Sequence, residues 1–169
     1  MAIRKDVSTM GNTKLIKLRT LLDHYIAKPT NNPVAEHAAA GMDMTLMIHD
    51  QGFLAWHQHF IAELETWLVN NGGEKFVPLP YWNAADPIPP QLDNGNTNVN
   101  MALPANVRGA ALKQITDYNT LNTRILPYHN AVHNAAGGQM PNPNTSPGDP
   151  IFWPFHAFLI RVYERWRNL

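Results

Sequence analysis

Apolar residues recur with a helical period along most of this chain. Leu15, Leu18, Leu21, Leu22 and Ile26 fall three and four apart between Thr13 and Ala27, which predicts a first helix that stops before the Pro29–Pro33 turn. Pro33 fits the first turn of a second helix running through Val34, His37 and Ala38 to Ala40, with Gly41 as its stop. From Phe53 to Val69 the positions Phe53, Trp56, Phe60, Ile61, Leu64, Trp67 and Leu68 keep a 3.6 period, and the Asn70-Asn71-Gly72-Gly73 run ends it. Further helices are predicted from Val107 to about Leu121, as a short piece from His129 to Ala135, and from Pro150 to Trp166. The last has Phe152, Phe155, Leu159, Val162 and Trp166 as its stripe. Between Val77 and about Pro104 the prolines and the run QLDNGNTNVN favour a long irregular connection, of the kind that walls functional sites. Strand-like alternation is almost absent and no internal repeat is visible. The pattern therefore predicts a mainly α fold with long irregular loops and little or no sheet.

Composition narrows this picture. With 169 residues, 44% of them hydrophobic, the chain is expected to form one domain over 1–169. Thirteen Lys and Arg balance thirteen Asp and Glu, so no basic field exists to attract nucleic acid or an acidic membrane. Cysteine is absent, which excludes thiolate ligands and nucleophiles. The start MAIRKDVSTMGN lacks the apolar stretch of a secretory signal, and no apolar run reaches the roughly 18 residues of a membrane span. The expectation is a protein without a built-in export signal, cytoplasmic by default.

Candidate chemistry lies in the histidines. Six of the eight fall into two triplets, His37/His49/His57 and His129/His133/His156. His129 and His133 are four apart, so on a helix both rings share one face and can hold a single metal, with His156 available from the next helix. Two all-imidazole sites, with no bridging carboxylate or thiolate, point most naturally to a pair of copper ions and to redox chemistry. His59 follows His57 by two and so turns away from it, as a structural or substrate-facing residue.

The surroundings of the triplets resemble a known family. F-L-A-W-H-Q-H-F-I-A-E-L-E (Phe53–Glu65) is similar to the first-copper signature of the tyrosinase family, F-L-P-W-H-R-x-Y/F-L-x-x-F-E. D-P-I-F-W-P-F-H (Asp149–His156) resembles its second-copper signature, D-P-x-F-x-x-H-H. Between them L-P-Y-W-N (Leu79–Asn83) is similar to L-P-Y-W-D, and Y-H-N-A-V-H-N-A-A-G-G-Q-M (Tyr128–Met140) to L-H-N-x-V-H-x-x-x-G-G-x-M. The resemblance runs from about Val34 to the C-terminus. It implies a four-helix bundle holding a dinuclear copper centre, with His37, His49 and His57 on one ion, His129, His133 and His156 on the other, and O2 as co-substrate. His24 competes with His37 for the first position, and His49 lies one residue nearer His57 than the family pattern.

The implied activity is oxidation of o-diphenols to o-quinones, with hydroxylation of monophenols beside it. The alternatives are a catechol or o-aminophenol oxidase without monophenolase activity, or a non-catalytic O2-binding protein. The partner is a small phenol or catechol; the oligomeric state is not assigned. Asn130 matches the asparagine that helps orient a water in monophenol-active members, but its partner glutamate is replaced by Thr120, with Asp117 the nearest upstream carboxylate. Gln58, Asn83 and Ile160 stand where the family has charged residues; if Gln58 and Ile160 lie together, both halves of one charge pair have gone. Asn134 and Phe155 are candidates for shaping substrate entry. Because the chain ends just after the last copper helix, an unshielded site, active without proteolysis, is expected.

Overall fold

A computed structural model describes residues 3–169. Among them are six α-helices: α1 (Asn12–Ile26), α2 (Pro33–Met42), α3 (Phe53–Asn70), α4 (Gly109–Lys113), α5 (Tyr118–Ala136) and α6 (Phe152–Arg167). No strand occurs among the described residues; pairing is limited to isolated bridges between Asp6 and Tyr81 and between Asn96 and Gly137. The mainly α expectation holds. No helix among the described residues is long and apolar enough to cross a membrane.

The most apolar element takes the centre. Every residue from Phe152 to Ile160 is buried, so α6 begins inside the protein and turns polar only toward Arg165 and Arg167. Its most extensive neighbour is α3. Phe60, Ile61 and Leu64 of α3 join Leu18 and Leu22 of α1, Ile125 and Val132 of α5 and the α6 residues in one apolar cluster.

Two predicted boundaries move. The second helix passes through Gly41 to Met42, where a glycine near the end costs only about 1 kcal/mol, and Asn32 caps its start by accepting from Val34 N and Ala35 N. The helix expected from Val107 to Leu121 is broken: only Gly109–Lys113 is α-helical, and the chain restarts at Asp117, whose side chain accepts from Thr120 N. From there α5 runs 19 residues without interruption, so the short His129–Ala135 piece is the end of a longer helix. Pro127 lies inside it. The carbonyl that its missing N–H leaves free belongs to exposed Thr123, where water can satisfy it.

The irregular connection is anchored. Leu79, Trp82, Ala84, Ile88 and Leu92 are buried in the core, and Trp82 N donates to Pro154 O of α6 at 2.9 Å. Buried Arg4 fastens the same region: its guanidinium bonds Glu65 of α3, Glu164 of α6 and Leu79 O. At the opposite end of α3, Gly52 cannot cap the exposed amides. Asn122 Oδ1 of α5 accepts from Leu54 N at 3.1 Å and Tyr118 Oη accepts from Ala55 N at 3.1 Å. Asn122 Nδ2 also donates to Asp50 O at 2.7 Å. One buried amide therefore sets the register between α5, the head of α3 and the turn that carries His49.

Candidate metal centre

Each triplet is assembled from different elements. His37 projects from α2, His49 from the turn before α3, and His57 from the second turn of α3; their ligand atoms lie within 4.8 Å of one another. His129 and His133 sit one turn apart on α5 and meet His156 of α6 within the same limit. The two groups adjoin: the His57 and His156 rings stack at 4.9 Å with 19° between their planes. His24 is exposed on α1 and belongs to neither group, so His37 takes the position that both could have filled. His59 points outward and places Nε2 3.2 Å from Glu63 Oε1, one helical turn on.

Hydrogen bonds decide which nitrogen each ring presents. The Nδ1 atoms of His57 and His156 donate to Phe53 O (2.9 Å) and Phe152 O (2.8 Å), the carbonyls one turn earlier on their own helices. His37 Nδ1 donates to Pro143 O at 2.9 Å and His133 Nδ1 to Met140 O at 2.7 Å. His129 Nδ1 donates to Asn130 Oδ1 at 2.9 Å. A carbonyl oxygen only accepts, so in these five rings the proton is on Nδ1 and Nε2 carries a lone pair.

Those lone pairs point at one another. His57 Nε2 lies 3.4 Å from His37 Nε2, and His156 Nε2 lies 3.3 Å from His129 Nε2, with no proton available to either contact. His133 Nε2 is buried without any protein partner. Facing lone pairs and an orphaned buried acceptor are unfavourable by themselves and favourable around a cation. Burial, the largest cause, holds His37 down to about 3 and His133 to about 4, and keeps His57, His129 and His156 well below the ordinary histidine range. Rings that stay neutral in this way are in the protonation state that a metal requires. The donor set is all nitrogen, uncharged and free of carboxylate, which fits copper.

Aromatic side chains hold the rings in place. Phe53 lies 4.7 Å from His57 and 4.4 Å from His129, spanning the two groups. Phe152 stacks on His156 at 3.8 Å. Phe155, a candidate for shaping substrate entry, is fully buried between Trp82, Tyr128 and the rings of His129 and His133, so it backs the site instead of opening onto it. Asn134 does face the opening. A cavity of about 340 Å³ is lined by His49, His129, Asn130, His133, Asn134 and Ser146, with Met140 and two prolines completing it.

The replaced charged positions are accommodated without burying a charge. Gln58 Oε1 accepts from Arg167 at 3.5 Å, and Ile160 is buried in the core. Asn83 Oδ1 accepts from Ala85 N at 3.1 Å, which makes its own turn. Thr120 and Asp117 are bonded to each other at the start of α5, and no carboxylate lines the cavity.

The residues that sequence reasoning missed are the hydrogen-bond acceptors of the 137–149 segment. Pro143 O and Met140 O orient His37 and His133, and fully buried Asp149 knits the segment by accepting from Asn96 Nδ2 and Gln139 N. Gly138, at φ +58°, permits this packing: a Cβ there would stand 2.5 Å from Asp149 Oδ2. The only forewarning was the Gly137-Gly138 pair and the Asp149-Pro150 step within the quoted motifs.

The helical scaffold thus presents two facing imidazole triplets, each able to hold a metal ion. The chain belongs to the tyrosinase family: the common central domain of tyrosinase matches residues 24–119 and 96–169. That family implies a dicopper centre. Hemocyanin 2 of Megathura crenulata is 23% identical over 212 aligned positions, covering 99% of this chain and 6% of that protein. A tyrosinase of Streptomyces lincolnensis is 44% identical over 45 residues, 27% of this chain and 16% of the relative. Tyrosinase HcTyr1 of Hahella sp. (strain CCB-MM4) is 47% identical over 38 residues, 22% of this chain and 8% of the relative. The matched parts thus span a small share of each relative's own length.

Proposed function

We propose that this chain is a single copper-binding domain that oxidises o-diphenols to o-quinones at the expense of O2. His37, His49 and His57 would hold one copper and His129, His133 and His156 the other. The observation that carries this reading is the set of lone-pair nitrogens converging from two sides with no proton between them. When bound, a copper pair supplies the two-electron exchange with O2 that removal of two electrons and two protons from a catechol requires.

The protein's own part is positioning. Nδ1 bonds to backbone carbonyls fix four rings and one to Asn130 fixes a fifth, Phe53 and Phe152 keep them from turning, and the cavity beside His49 and His129 admits a single aromatic ring. Asn130 both accepts from His129 Nδ1 and lines the cavity, so it joins the orientation of a ligand to the wall that substrate meets.

Monophenol hydroxylation asks more, because the phenol must lose a proton before it reacts. A positioned base is worth about 10²–10⁴-fold, and the cavity lining has no carboxylate. Catechol oxidation should therefore exceed monophenol oxidation by at least about 100-fold. A second reading, a non-catalytic O2-binding protein, draws on the alignment with hemocyanin 2 along 99% of this chain. The test measures copper per purified chain and then quinone formation from catechol and from a monophenol. Two coppers and quinone from catechol support the oxidase; two coppers with reversible O2 uptake and no quinone support the second reading. Absence of copper uptake overturns both.

A further inference from the structure

Large exposed apolar side chains among the described residues are mostly scattered, but one segment concentrates them. Met42 is 75% and Met44 82% exposed, Leu46 is exposed beside them, and Met47 is half-buried. Three of the chain's seven methionines thus fall within six residues, Met42-Asp43-Met44-Thr45-Leu46-Met47. This segment joins α2, which carries His37, to His49.

Its backbone turns within the segment. Leu46 N donates to Asp43 O at 3.1 Å, closing a turn that Met42 precedes and Met47 follows, with Met44 inside it. Asp43 Oδ1 holds the turn by accepting from Thr45 N (2.9 Å) and Thr45 Oγ1 (2.6 Å). Met47 sits at φ +49°, and its carbonyl accepts from both Asp50 N and Gly52 N, each at 2.9 Å. At the neck, Gly41 lies against His49: a Cβ there would be 3.6 Å from His49 Cε1. The methionine turn therefore opens directly beside the one exposed ligand of the first triplet.

We propose that Met42, Met44 and Met47 form a Cu(I) capture site that hands the ion to His49 and then to the first triplet. The proposal rests on the dicopper reading for its destination, though not for the capture site itself. Thioethers are soft, neutral ligands that favour Cu(I) over the harder cations a cell holds in excess, and the flexible methionine side chain adapts to a metal without a preformed cage. Exposure, a cost for a core residue, is what capture from solution or from a donor needs. The transfer is ligand exchange alone: neutral thioether sulfurs are replaced by neutral imidazole nitrogens. The ion stays Cu(I), and His37 and His57, already unprotonated on Nε2, release no proton.

The full chain, expressed without copper and labelled at its methionine methyls, is titrated with Cu(I) under anaerobic conditions and followed by carbon–proton NMR. The Met42, Met44 and Met47 methyl signals are expected to move together, with Met10 and Met101 unmoved. Met140, which lines the centre, reports separately on filling of the triplets. Movement of Met140 without the other three overturns the capture site; movement of the three without Met140 supports it and overturns the dicopper reading. The Met42→Leu/Met44→Leu/Met47→Leu variant keeps the apolar surface and loses the sulfurs. It should still reach two coppers per chain, but fill from chelator-buffered Cu(I) about tenfold more slowly, since it lacks the high local concentration the turn provides. Filling at the unaltered rate overturns the proposal, and a surface that serves only protein docking would give that result.

Discussion

His129, His133 and His156 are all buried and come from two long helices, whereas the first triplet draws His49 from a turn and leaves it exposed. The second group is preformed by secondary structure: an i,i+4 pair on α5 meets a ring on α6, the most buried helix of the protein. The first is completed only when the 43–52 turn folds back, and that turn is held from α5 by Asn122 and from within by Met47. One group is therefore buried throughout, whereas the other includes an exposed ring, and the cavity runs between His49 of the first and His129 and His133 of the second.

The largest effect should come from the buried side. His156→Ala is expected to lower copper affinity at its site by more than about 100-fold, beyond the loss typical of a residue that merely orients a ligand. His49→Ala, where water can replace the ring, should cost about a tenth of that. Chelator competition with each variant measures both, and equal losses would break the distinction between the two sites.

Acid should separate them next. An unfolded histidine takes up a proton near pH 6.5, whereas burial holds folded His133 to about 4 and His37 to about 3. Below about pH 6.5 the unfolded chain binds more protons, so copper-free protein loses stability as pH falls toward 4; above that value these rings are neutral in both states and contribute nothing. For His133 alone the full loss is on the order of 3 kcal/mol. Thermal unfolding of the copper-free chain at several pH values checks this. Replacing His133 should flatten the slope more than replacing His49, and the reverse order would contradict the burial argument.

Smaller effects refine the second site. Asn130→Ala removes the acceptor that orients His129 and should weaken copper there about tenfold, while the first site is unchanged. Ser146 Oγ is buried without a protein partner, so Ser146→Ala should raise the stability of copper-free protein by about 1 kcal/mol. A fall in melting temperature instead would show that the hydroxyl has a bound partner, such as an ordered water.

Much of the scaffold was legible beforehand because helix periodicity is local. The stripes on α1, α3 and α6 predicted their helices to within about two residues. The failures fell at helix boundaries. A separate short helix over His129–Ala135 was expected, yet the hydrogen bond that Pro127 lacks falls on a solvated carbonyl and α5 runs through it. Gly41 suggested a stop, yet the helix runs one residue past it, to Met42, and is capped at Asp43, whose N–H bonds Ala40 O. In the site, four motif histidines were recognisable from their neighbours, while His37 was placed by position with His24 as its competitor; the structure groups His37 with His49 and His57 and leaves His24 exposed on α1.

The amino-acid sequence by itself determined the available donors: six imidazoles in two groups and no thiolate. For two of them the acceptor that fixes the tautomer is local, since His57 and His156 bond to carbonyls four residues earlier on their own helices. Only the tertiary structure decided that His37 would take Pro143 O, that His133 would take Met140 O, that Phe155 would be sealed behind the rings, and that the methionine turn would lie beside His49. The reason is range. An i,i+4 bond needs only the residue's own helix, whereas contacts that leave the helix, seven positions away for His133 and 106 for His37, exist only after the loops and the core have placed both partners.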